Sequence, residues 1–275
     1  MTAFVHRVCA EQLQTVACPS LCRVGSANDG GYVVALDALA KARLLLSFGI
    51  ATNWEFEADA ATRNPQLRVD AYDHSVGMKF FAEMAMRAGV NAVLRLLTLN
   101  AAGAAASARK LRVALSYFRF FSRPHRHTAK RVWYNTDRGS AAIGEIIDAA
   151  ETYGPLSVFA KIDIEGSEYR VLPAVAARAH LFSGLVVEFH DTDICADAFN
   201  AAIASLARDF DIVHVHGNNY GDMSADGRLP LTLEVSFVNR ALGTRGEPGF
   251  GATNFPRLGL DAPNNPRVPD YAFEL

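Results

Sequence analysis

The chain has 275 residues, half of them hydrophobic, a tenth aromatic and a fifth charged. That composition excludes a disordered, collagen-like or wholly coiled-coil protein, and the length is enough to bury a large core. With 27 basic against 29 acidic residues the formal net charge is −2, which argues against a generally basic nucleic-acid binder but leaves room for a local cationic patch.

At the N-terminus Glu11, Gln12 and Gln14 interrupt any apolar run, so no signal-peptide core is read and a cytoplasmic location is expected. Cys9, Cys18 and Cys22 lie close together, with Cys195 far away, but their spacing is not that of a zinc ribbon or finger; reduced thiols are expected. Residues 42–50 (ARLLLSFGI) form a short apolar run ending in glycine, the pattern of a buried parallel strand. A helix over 53–62, a strand over 67–72, a helix over 140–152 and a strand over 156–164 follow. A helix over 167–180 with Pro173 inside it is expected to kink or shorten. Further on come a strand over 185–189, a helix over 196–208 and strands over 211–215 and 231–239. This alternation predicts a doubly wound α/β fold around a mostly parallel sheet.

Two segments interrupt the alternation. Residues 79–131 read as an Ala- and Leu-rich helical insertion or lid, and from Met84 to Thr136 there is no acidic residue. The same window carries Arg87, Arg95, Arg109, Lys110, Arg112, Arg119, Arg123, Arg126, Lys130 and Arg131, enough for a positive wall over a pocket. Its most apolar stretch, 89–99, is too short to span a bilayer and contains Arg95, so no membrane span is expected. The tail, 241–275, carries Pro248, Pro256, Pro263, Pro266 and Pro269 and is expected to wrap the domain as an extended strap. The whole chain is thus read as a single domain, with 23–78 and 132–240 as its core.

Open parallel sheets bind ligands beyond the carboxyl ends of their strands. The first such end runs Ser47-Phe48-Gly49, continuing to Asn53. The second ends at Asp73, 24 residues beyond Gly49, where an acid can accept ribose hydroxyls. Together they favour a nucleoside-containing ligand. The strongest constellation is Lys161-Ile162-Asp163-Ile164-Glu165-Gly166-Ser167-Glu168. Asp163 and Glu165 would repel unless paired, protonated or bound to a cation. Later ends supply Glu188, His190, His214 and His216, which can hold a divalent cation or provide a general base. The Asn28–Tyr32 stretch (NDGGY) reads as a tight turn, with Asp29 a secondary candidate.

The same residues carry a resemblance. Lys161–Leu172 (KIDIEGSEYRVL) resembles the central motif of FkbM-type S-adenosylmethionine-dependent methyltransferases. Arg23–Val34, Leu45–Glu57, Val187–Asp191, His214–Asn219 and Leu260–Asp270 resemble the neighbouring methyltransferase-like branch. The resemblance implies a class I methyltransferase (Rossmann-like) fold, a seven-stranded sheet whose last strand is antiparallel. It implies cofactor contacts from Ser47, Phe48, Gly49 and Asn53, a ribose acid at Asp73 and Asp137 near the adenine. It places Asp163 facing the methyl group and substrate, with Glu165 and His190 as further catalytic candidates. One departure is that the usual glycine-rich loop retains only Gly49.

Methyl transfer from a sulfonium needs a positioned nucleophile and a group to take its proton. The expectation is O-methylation of a small-molecule or sugar hydroxyl, on an acidic or glycosylated acceptor, with Asp163 or His190 as base. A divalent metal such as magnesium, held by Asp163, Glu188, His190 and His216, is the sharper version. Two other classes stay open: a non-catalytic nucleotide- or S-adenosylmethionine-binding scaffold, and a metal-dependent hydrolase. No specific nucleic-acid partner is expected.

Overall fold

A computed structural model describes residues 8–243 and 251–275; Pro248 and the first seven residues lie outside the described residues. After a single helical turn at Ala10–Leu13 comes an antiparallel hairpin, β1 (Leu21–Gly25) and β2 (Gly31–Ala35), turned at Asn28–Gly30, and α1 (Leu36–Lys41) follows. Then come β3 (Leu44–Phe48), α2 (Glu55–Arg63) and β4 (Arg68–Tyr72). A helical hairpin of α3 (Met78–Leu97) and α4 (Ala101–Phe120) leads to three short strands, β5 (Arg126–Thr128), β6 (Arg131–Trp133) and β7 (Ser140–Ala142). The second half runs α5 (Ile143–Ala150), β8 (Val158–Ile162), α6 (Glu168–Ala177), β9 (Phe182–Phe189), α7 (Ala196–Leu206), β10 (Phe210–Gly217) and β11 (Leu233–Asn239). In the tail, β12 (Asn254–Phe255) pairs with β13 (Phe273–Glu274).

The main sheet has seven strands in the order β10-β11-β9-β8-β3-β4-β5, parallel except for β11. This is the expected class I methyltransferase topology, in which β11 inserts antiparallel between the fifth and sixth strands of the sheet. Each face carries its own core. Along β3, Leu44, Leu46 and Phe48 face the layer of α5–α7, and Leu45 faces the layer of β1–β2, α1 and α2. That period of two is why an unbroken apolar run forms a strand covered on both sides. On α5 the stripe Ile143, Ile146, Ile147 and Ala150 is buried, each isoleucine contributing about 1.5–3 kcal/mol.

Several boundaries differ from expectation, and β7 occupies the start of the segment read as a helix over 140–152, so that α5 begins only at Ile143. Helix in the basic insertion ends at Phe120, and β5 lies inside the segment read as insertion, with β6 starting at its last residue, Arg131. Three-residue strands are too short to display a period. Strand β9 starts at Phe182 rather than at 185. Helix α6 runs through Pro173 and, as expected, is shorter than 167–180, ending at Ala177. No helix among the described residues is long and apolar enough to cross a membrane. All four cysteines are free thiols.

Candidate active site

The parallel crossovers change direction between β3 and β8, and a cavity of about 520 Å³ opens at the carboxyl ends of β3, β4 and β8. Its size falls within the range of small-molecule sites, roughly 300–1,000 Å³, and its place is where this class of sheet binds ligands.

The loop after β3 forms one wall. Gly49 has φ +82°, and a Cβ there would overlap the Asp163 carbonyl oxygen, so only glycine lets the two strand ends meet. Asp73 secures this loop. Its Oδ2 accepts the Ile50 N–H (2.9 Å) and the Ala51 N–H (2.7 Å), and its Oδ1 accepts the Ser75 N–H (2.7 Å) and hydroxyl (2.6 Å). Burial opposes the charge, but these bonds outweigh it and hold the carboxyl below its ordinary pKa. A carboxylate offers about four acceptor positions, and here all are engaged. Asp73 therefore lines the cavity as the anchor of the glycine loop. Ser47 and Phe48 turn away from it: the Ser47 hydroxyl donates to buried Glu57, and the Phe48 ring packs edge-on against Tyr72. Asn53 does line it, donating to the Asp29 carbonyl (3.1 Å) and accepting the Glu55 N–H (3.0 Å). The β1–β2 turn thus folds over the rim, bringing Asp29 and Gly30 to the cavity. Burial, then the charge of Asp163, pushes the Asp29 carboxyl up.

The floor is a buried charge network centred on Asp163. Lys161 Nζ is almost wholly buried, donates to the Gly49 carbonyl and lies 3.2 Å from Asp163 Oδ2. Burial opposes its charge, yet Asp163 and Glu57 outweigh that and raise its pKa. The Tyr32 hydroxyl lies 3.0 Å from Asp163 Oδ2 and 3.0 Å from Glu188 Oε2. One phenol has one proton, so both contacts are hydrogen bonds only when one of the two carboxyls carries a proton of its own, and Glu188 is the one placed to hold it. Its surroundings favour that state: burial, then the charges of Asp163 and Glu234, push its pKa well up. Asn218 Nδ2 donates to the other Glu188 oxygen at 2.8 Å. The arrangement runs Glu188–Tyr32–Asp163, and Asp163 lines the cavity.

His190 stands at the next strand end. Its Nδ1 is 2.9 Å from Glu168 Oε1, which also accepts the Ile164 and Gly166 N–H groups and so shapes the motif loop. Its Nε2 is 3.6 Å from both Glu165 and Glu188. Burial lowers its pKa, but the Glu168 bond and the charges of Glu188, Glu168 and Asp163 outweigh this and raise it to about 9. Glu165 takes φ +55° and leaves its side chain 87% exposed over the cavity mouth. Asp163, Glu165 and His190 place ligand atoms within 4.8 Å of one another.

The four residues expected to share a metal do not come together. Glu188 is held by Tyr32 and Asn218, and His216 belongs elsewhere: it is buried between Glu234 (3.0 Å) and Asp270 (3.1 Å) of the tail. Burial lowers the His216 pKa, and the bonds to Asp270 and Glu234 overcome this and raise it to about 10. Asp137 is likewise not at the cavity. Its Oδ1 accepts the Gly139 and Ser140 N–H groups (2.7 Å each), closing an exposed turn behind Arg131.

The opposite wall is Tyr72, Val132, Trp133 and Arg131. Arg131 and Arg170 each place a guanidinium 4.8 Å from the Trp133 ring. Of the ten Lys and Arg residues of the acid-free segment, only Arg131 lines the cavity. Tyr32, Glu168, Asn218 and Trp133 were not singled out from the sequence. Glu168 had a signal, being in the motif itself, whereas the other three depend on contacts across the fold.

No family model matches the chain, and no curated protein matches it. Solved structures do, at a distance. The chain is similar to a precorrin-6y C5,15-methyltransferase from Geobacter metallireducens at 11% identity, covering 74% of this chain and 85% of that one, with a TM-score of 0.34. It is similar to a 16S rRNA (adenine(1408)-N(1))-methyltransferase from Catenulisporales acidiphilia at 13% identity, over 74% and 91% of the two chains, TM-score 0.32. A fibrillarin pre-rRNA processing protein from Methanococcus jannaschii shows 8% identity over 76% and 70%, TM-score 0.36.

Proposed function

We propose that this protein is an S-adenosylmethionine-dependent methyltransferase, of the FkbM-like kind its motifs resemble, that methylates a hydroxyl oxygen of a small molecule or sugar. The observation that carries the reading is a cavity at the switch point of a class I methyltransferase sheet, with Asp163 on its floor. The residues present suit the cofactor. The apolar and aromatic side chains of Ile50, Tyr72, Val132 and Trp133 offer a surface for a flat base. The carboxyls of Asp29, Asp163 and Glu165 offer negative charge to a sulfonium. When bound, S-adenosylmethionine supplies an activated methyl group, open to in-line displacement.

The chain's own residues do the rest. Asp163 accepts the proton of the acceptor hydroxyl. Lys161 and Tyr32 fix the orientation of its carboxylate, and Tyr32 links it to Glu188. Arg131, at the mouth, favours an acidic acceptor. A divalent cation, if used, is held by Asp163, Glu165 and His190; a donor set with an imidazole suits a transition metal better than magnesium.

Calorimetric titration with S-adenosylhomocysteine, with and without divalent metal, tests the first half. Saturable binding is expected in the wild type, and at least tenfold weaker binding in Asp73→Ala, which frees the glycine loop. Absence of binding under both conditions overturns the reading. Methyl transfer onto a panel of hydroxylated acids and sugars tests the second half, and full activity in excess chelator removes the metal.

A further inference from the structure

The hairpin α3–α4 has a surface unlike the rest of the molecule. Each helix has 20 residues, about 30 Å in length. Among the described residues its base is fastened to the body: Phe81 stacks on Tyr117 at 3.9 Å and meets Trp54 at 5.5 Å, and the Tyr117 hydroxyl is 2.7 Å from His127 Nδ1. Small residues, among them Ala88, Ala104, Ser107 and Ala114, fill the buried side of the pair.

The outer side is apolar where a solvated helix is polar. Met86, Val90, Val93 and Leu97, spaced i, i+4, i+7 and i+11, share one stripe of α3 and are 56–75% exposed. Leu96 and Leu99 carry apolar surface on to the tip. Eleven of the 16 exposed large hydrophobics among the described residues lie between Met78 and Phe118. The same hairpin holds Lys79, Arg87, Arg95, Arg109, Lys110, Arg112 and Arg119 against a single acid, Glu83. On α4, Arg112, Leu115 and Arg119, spaced i, i+3 and i+7, share an exposed face. No hairpin residue lines the cavity, so this surface is separate from the site above.

We infer that the hairpin docks on an anionic phospholipid surface. Exposed aliphatic side chains need an apolar medium, and the cations of the same hairpin need negative partners; a headgroup and acyl boundary supplies both at once. A second copy of this chain would cover the apolar stripe but would press seven cations against seven, with one acid from each side. RNA would satisfy the cations and leave the aliphatic stripe in water, and the stripe has no aromatic ring on which a base could stack.

Co-sedimentation of the full chain with extruded vesicles tests this. Vesicles of phosphatidylcholine with roughly one third phosphatidylserine are expected to bind it, phosphatidylcholine vesicles at least about tenfold less, and added salt to weaken binding. A double variant at exposed positions, Val90→Glu with Leu97→Glu, and a triple variant, Arg109→Glu with Arg112→Glu and Arg119→Glu, are each expected to lose at least about tenfold in bound fraction. Both are expected to keep the wild-type circular dichroism and melting temperature, which separates lost docking from lost fold. Absence of binding to the anionic vesicles overturns the inference. So does a dimer by light scattering that Val90→Glu with Leu97→Glu turns into a monomer while vesicle binding is unchanged.

Discussion

Two clusters of acids and histidines stand at the carboxyl ends of the same sheet, and only one of them opens to a ligand. Around Asp163, the groups of Tyr32, Lys161, Glu188 and His190 hold one another in place yet leave Asp163 and Glu165 facing a cavity. Farther along the sheet, His214 and His216 on β10 are covered by the tail. His214 Nε2 is 2.8 Å from Asp261, and His216 bridges Glu234 and Asp270. Asn264 donates to Glu234 at 2.6 Å, Asn28 to the Pro263 carbonyl at 2.8 Å, and Asn219 to the carbonyls of Asn265, Val268 and Pro269. The residue types are nearly the same in the two places. What differs is closure. In the second cluster the chain supplies its own partners, and the result is a latch; in the first, acceptor positions remain for a visitor.

Substitutions can widen or erase that contrast. The largest effect is expected from Asp163→Asn, which keeps shape and removes the base: methyl transfer falls about 10²–10⁴-fold while S-adenosylhomocysteine affinity stays near wild type. Turnover within a factor of ten of wild type would rule out the proton role. His216→Gln leaves Glu234 and Asp270 buried without their cation and is expected to cost about 3 kcal/mol. Limited proteolysis should then cut within 257–270 while cofactor affinity changes little; a variant as resistant as wild type would show that the latch does not hold the tail. The pH dependence has a definite sign. Because the folded pKa of His216 is raised to about 10, its contribution is complete below about pH 6.5 and is lost as pH rises through about 10. Melting temperatures across that window should fall in the wild type and less steeply in His216→Gln.

At the open cluster, Gly49→Ala must place a Cβ against the Asp163 carbonyl at a positive φ, with an expected loss of about 2 kcal/mol, or roughly 4–8 °C in melting temperature. An unchanged melt would mean that the two strand ends do not meet as described. The smallest effect is local. The His190 ring should titrate near pH 9 by NMR, and Glu168→Gln should move that value toward 6.5 without unfolding the chain. Since that pKa is also raised, the charged ring stabilises below about pH 6.5 and this support is lost through about 9. A titration near 6.5 in the wild type would remove the ion pair.

How much of this was legible in the amino acids follows from the range of each interaction. Apolar runs such as Leu44–Phe48 and the Ile143, Ile146, Ile147 stripe declared their elements, because burial on one face imposes a period within a few residues. The Lys161–Glu168 motif announced its own site for the same reason: Asp163, Glu165 and Glu168 are neighbours in the chain and share one loop. Strand β5 was too short to show a period and was absorbed into the basic insertion, whose last residue, Arg131, opens the cavity-wall strand β6. Residue chemistry marked His190 and His216 alike, and nothing local separates them.

The alternation of elements, the glycine where two strand ends meet, the acid-rich motif and the basic, apolar character of residues 84–120 are therefore properties of the chain read in order. The hydrogen bonds of Asp73 to the glycine loop, the Glu188–Tyr32–Asp163 contacts, the removal of His216 and Asp137 from the cavity and the outward turn of the hairpin's apolar stripe were decided only by folding. Tyr32 reaches partners 131 and 156 residues away, and His216 one 54 residues away. Such pairings depend on which strands become neighbours and on what covers them, and these are consequences of packing the whole sheet, with no trace in the spacing of nearby residues.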